Sequence, residues 1–71
     1  MTDEELMKNI THEKSLIIAY EQLASGYTAL AKMPEHAKSA AVYGMRAKSN
    51  RELAALHRGF LAELEGYRGD E

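Results

Sequence analysis

Seventy-one residues with a formal charge of −2, one Pro and no Cys make a single domain at most. A chain this short buries only about 60% of the surface it exposes when unfolded, so its stability is marginal unless packing or association adds to it. The missing thiols exclude disulfides, thiolate metal sites and a Cys nucleophile.

The small total charge hides a pattern. Residues 1–35 hold three Lys against six acidic residues (−3), and residues 36–58 hold Lys38, Arg46, Lys48, Arg51 and Arg58 against Glu52 alone (+4). The last stretch, 59–71, sets Arg68 against four acidic residues (−3). An acidic first helix lying beside a basic second one would balance these charges. The acidic start, Met-Thr-Asp-Glu-Glu, lacks the basic residues and apolar run of a signal peptide, and no apolar stretch approaches the roughly 18 residues of a membrane span. A cytoplasmic protein without membrane contact is expected.

Taken in order, Thr2-Asp3-Glu4-Glu5 has the form of a capping box and starts a helix. Thr11 offers a second start, so residues 3–9 are either a separate short helix or the first turns of a longer one. Leu16, Tyr20, Leu23, Tyr27 and Leu30 then recur at spacings of four and three, the seam of an amphipathic helix, with Ile17, Ala19, Ala24 and Ala31 beside it. Ile18 falls on the polar side. Pro34 forces Met33 out of helical geometry and suits the first position of a new helix, which the sequence therefore starts at Pro34. Two or three residues of connection imply an antiparallel hairpin.

The second helix carries Val42, Met45, Ser49, Leu53, Leu56, Phe60, Leu64 and Tyr67 on one row, read as the face against the first helix. Gly44 and Ser49-Asn50 are the places where it could break instead of running on to Tyr67. Gly66 and Gly69 end it, leaving a domain of residues 1–67 and a tail, 68–71, expected to be disordered. The Arg68-Gly69-Asp70 triplet carries no integrin reading in a cytoplasmic chain.

A second stripe, Ala40, Tyr43, Ala47, Ala54 and Leu61, lies roughly opposite that row, with His57 alongside. One hairpin covers only one face of the helix, and small residues at a seven-residue repeat let helices approach closely. The stripe is therefore read as a self-association surface, and the expected architecture is an all-α antiparallel hairpin assembling into a dimeric helical bundle.

His12, His36 and His57 form no pair at helical ligand spacing, and neither a phosphate loop nor a nucleophile elbow is present. The sequence thus implies no metal, no cofactor and no catalysis. The function expected is a non-enzymatic interaction module, a homodimer or larger, that binds and regulates or inhibits a larger protein through Ile18, Lys48, Arg51 and Arg58. Two alternatives stay open: a dimeric nucleic-acid-binding regulator, for which Lys48, Arg51 and Arg58 doubled across a dimer axis would supply the charge, and a purely structural oligomerising subunit.

Overall fold

The computed structural model describes residues 1–69, with side chains through Tyr67. Helix α1 spans Asp3–Ala31, a 3-10 helix spans Pro34–Ser39, and α2 spans Ala40–Gly69. Among the described residues there is no strand, and no helix is long and apolar enough to cross a membrane. The two long helices lie antiparallel as a rod of 53 × 15 × 13 Å.

The start of α1 follows its capping chemistry. Thr2 is extended, and its hydroxyl accepts a hydrogen bond from the Glu5 amide at 3.2 Å, with Asp3, Glu4 and Glu5 in the first turn beside the positive end of the helix dipole. The possible second start is not used, because the helix runs unbroken through Thr11, whose carbonyl accepts from the Ser15 hydroxyl.

Met33 is extended before Pro34, as a residue preceding proline must be. The chain does not enter α geometry at Pro34, however. It makes a 3-10 helix to Ser39, with His36 outside the helical region at φ −111°, ψ 19°, and α2 begins at Ala40. The tighter winding lets His36 fold back so that its ring meets Tyr43 edge-on at 5.7 Å. From Ala40 the helix is continuous through Gly44 and Ser49-Asn50, where Asn50 Nδ2 donates to the Arg46 carbonyl. It reaches Gly69, two residues into the stretch expected to be a disordered tail. Asp70 and Glu71 lie outside the described residues.

The faces that meet differ from those expected. Tyr27 stacks on Tyr43, and Glu13 meets His57, which fixes the antiparallel register. In that register the seam runs Leu6, Ile10, Glu13, Ile17, Tyr20, Ala24, Tyr27 and Ala31 on α1, against Ala40, Tyr43, Ala47, Asn50, Ala54, His57, Leu61 and Leu64 on α2. Both strings alternate spacings of three and four, the repeat of a coiled coil. The residues buried along them are Leu6, Ile10, Ile17, Ala24, Ala47 and Ala54.

The Ala stripe read as an outer, self-associating surface is therefore the inner face of the hairpin. Ala47 and Ala54 are 2% and 1% exposed within one chain, and Ala40, Tyr43 and Leu61 are half-buried in the same seam. Conversely, most of the row read as core is outside: Val42, Met45, Ser49, Leu53, Leu56, Phe60 and Tyr67 are exposed, as is Leu23 on α1, whereas Leu64 of that row is half-buried in the seam. The physical reason is the distance between helix axes. Small residues at the seam, Ala24 and Ala31 on α1 and Ala40, Ala47 and Ala54 on α2, allow the backbones to come close. The rings of Tyr20, Tyr27, Tyr43 and His57 fill the intervening levels.

Candidate functional site

The middle of the seam is polar. Glu13 and His57 occupy adjoining positions that an apolar pair would ordinarily fill, and their side chains are only 16% and 17% exposed. His57 Nδ1 lies 2.6 Å from Glu13 Oε2, and since a carboxylate only accepts, Nδ1 is the donor. Tyr20 stacks on the imidazole and Phe60 meets it edge-on, each at 5.4 Å between ring centres. No buried side-chain polar atom among the described residues lacks a partner.

This pair favours the observed register, because sliding α2 by one heptad would set the Glu13 carboxylate against the neutral Asn50 amide or against apolar Leu64 in place of the imidazole. His57→Leu should destabilise the hairpin by about 1–3 kcal/mol by stranding Glu13. The double variant Glu13→Leu, His57→Leu should recover most of that loss. Urea melts of the two variants check the difference, and a double variant as unstable as the single one would mean that packing, not pairing, sets the cost.

On either side of the seam the rod has two unlike edges. One is polar: Arg58 pairs with Glu21, and Arg51 Nη2 donates to Thr28 Oγ1 at 2.6 Å. The Thr28 hydroxyl in turn donates to the Ala24 carbonyl at 2.9 Å. Lys14, Ile18 and Arg58 line a shallow recess on this edge, floored by Ile17 and Leu61. The other edge is apolar. Leu16, Leu23 and Leu30 recur every seven residues on α1, and Leu53 and Phe60 do so on α2 with Val42, Ser49 and Leu56 beside them. Ala19, Leu23, Gly26, Tyr27 and Leu30 line an open groove there, where the missing side chain of Gly26 leaves room. Arg46 flanks this edge near the turn, 5.6 Å above the Tyr27 ring.

The four residues expected to touch a partner, Ile18, Lys48, Arg51 and Arg58, are all exposed and fall together on the polar edge. Ile18 is 55% exposed. Two of the three cations are already engaged within the hairpin, Arg51 by Thr28 and Arg58 by Glu21. The five self-association candidates belong to the seam instead. No group of three His, Asp or Glu among the described residues could hold a metal ion.

No family model, no curated protein and no solved structure matches this chain. What it does must be read from its own two edges.

The apolar edge was not recognised from sequence as a site, although every residue of it was in view. The signal that could have found it is the offset between two heptad strings on α1. Ile10, Ile17, Ala24 and Ala31 form one string, and Leu16, Leu23 and Leu30 form another one position earlier. Only one of the two can face α2.

Proposed function

We propose that this chain is a non-enzymatic helical interaction module that self-associates through its apolar edge and presents its polar edge to a larger protein, which it regulates or inhibits. The observation that carries the reading is the exposure of Leu23, Leu53, Leu56 and Phe60 on one side of a rod whose own seam is already filled. Scattered exposed apolar residues are ordinary, but a contiguous row across two helices marks an interaction surface. The molecule also has little to hold it together alone. Its accessible surface of 5218 Å² exceeds the roughly 4,400 Å² expected for a compact protein of its mass. Among the described residues, three of the six buried apolar ones are Ala. Association through the second face would supply the burial that the seam lacks.

The double variant Leu23→Glu, Leu56→Glu tests the reading. It should be monomeric under conditions where the wild type associates, while keeping most of its helical circular dichroism, because both side chains are about half exposed in the single chain, at 48% and 51%. An unchanged oligomer in this variant would remove the apolar edge from the account.

The alternative of nucleic-acid binding is supported by the grouping of Lys48, Arg51 and Arg58 on one edge. It is opposed by the internal partners of the two arginines. Binding through phosphate contacts would fall steeply with salt and vanish in the triple variant Lys48→Gln, Arg51→Gln, Arg58→Gln. We expect the wild type to show no such binding to mixed RNA or DNA, even at low salt. Sub-micromolar, salt-sensitive binding lost in the triple variant would reverse the order of the two readings.

A further inference from the structure

We infer that the apolar edge is closed by a second copy of this chain lying antiparallel to the first, related by a twofold axis across the rod near the level of Ile17 and Ala54. The inference rests on the self-association proposed above and adds the occupant's direction, which charge decides. Below the level of Ile17 and Ala54 the rod ends in the two termini, and above it in the turn. The turn half, residues 18–53, carries five cations (Lys32, Lys38, Arg46, Lys48, Arg51) against Glu21, Glu35 and Glu52, a net +2. The open half, residues 1–17 and 54–67, carries Lys8, Lys14 and Arg58 against six carboxylates, a net −3. Each rod is thus basic at one end and acidic at the other.

Burial of apolar surface is non-directional and gives affinity to either arrangement of two copies. Charge gives it to one. A parallel pair would set basic end on basic end and acidic end on acidic end, whereas an antiparallel pair matches opposite signs at both ends at once, as a twofold interface requires. The same polarity is written on the apolar edge itself. Arg46 stands one heptad before Leu53 in the row toward the turn, and Glu63 stands one heptad after Leu56 toward the termini. With the axis near Ala54, Arg46 of one copy comes level with Glu63 of the other. The flank of the rod, 53 Å long and 15 Å wide between Cα extremes, is long enough to seat a second rod of the same dimensions along its whole length. The product is a four-helix layer pair with both polar edges facing outward.

Because the chain has no Cys of its own, a single Ala37→Cys substitution at the exposed turn accepts one spin label per copy. Pulsed dipolar distances in the labelled protein should centre near the 53 Å length of the rod. A parallel dimer would instead hold the labels within about 20 Å, two helix spacings, and that result would overturn the antiparallel arrangement while leaving self-association intact. A protein that stays monomeric at high micromolar concentration would overturn both. Charge reversal gives an independent reading: Arg46→Glu and Glu63→Arg should each raise the dimer dissociation constant several-fold at low salt, and the double reversal should restore it. Failure of the double reversal to recover association would also count against the antiparallel pairing.

Discussion

Ala54→Glu should abolish cooperative folding rather than dissociate a folded hairpin. Ala54 is 1% exposed and stands at the level of Ile17 in the seam, so a carboxylate there is either buried without a partner or forces the helices apart. An uncompensated buried charge costs about 3–5 kcal/mol, which is most of what a chain this size has. The expected readings are a broad, non-cooperative thermal transition and loss of most helical signal at room temperature. A helical, cooperatively melting monomer in the variant would mean that the Ala stripe lies between subunits after all.

Ile10→Ala should be nearly as severe. Ile10 is the largest of the almost fully buried side chains, at 2% exposed, and stands level with Leu61 near the open end of the rod. Truncation removes its buried atoms and leaves a cavity, a loss of about 2–5 kcal/mol. Ile18→Ala, on the exposed polar edge, should change stability by less than about 0.5 kcal/mol. Leu23→Ala and Leu56→Ala fall between and should act on association: their cost should grow with protein concentration, because the surface they lose is covered only when a second molecule binds. Urea melts at two concentrations separate these cases. Concentration-independent losses at Leu56 equal to that at Ile10 would place Leu56 back in the seam.

Much of the fold was legible because its signals are local. Thr2 and Glu5 announce the first helix, Pro34 marks the turn, and two long helices joined by a short connection, here residues 32–39, have little choice but to lie antiparallel. Ile18 was legible as an exposed apolar residue for the same kind of reason. Which faces meet was not legible, because hydropathy ranks Leu, Met and Phe above Ala, whereas the seam is chosen by how closely two backbones can approach. Glu13, Asn50 and His57 sit at seam positions and interrupt the apolar periodicity that would have revealed it. The eye is then drawn to Leu16, Leu23 and Leu30, one position away. Tyr20 and Tyr27 belong to the expected row and to the actual seam, which is why the error is a rotation of the helix rather than a reversal of it. Leu6 and Ile10 were missed because the ambiguous start at Thr11 detached them from the heptad to which they belong.

The assignment of the small-residue stripe to the inside of one hairpin has the most direct test in the chain's lack of Cys. Ala24 and Ala47 stand at the same level of the seam, and close packing of such residues brings Cα atoms toward the ~5.5–6 Å separation that a disulfide needs. The variant Ala24→Cys, Ala47→Cys, oxidised at nanomolar concentration where association is negligible, should form an intrachain disulfide nearly completely and migrate as a monomer on a non-reducing gel. Thiols that stay free under those conditions, and link chains only when the protein is concentrated, would show that the Ala stripe faces another subunit and that the apolar row is the core.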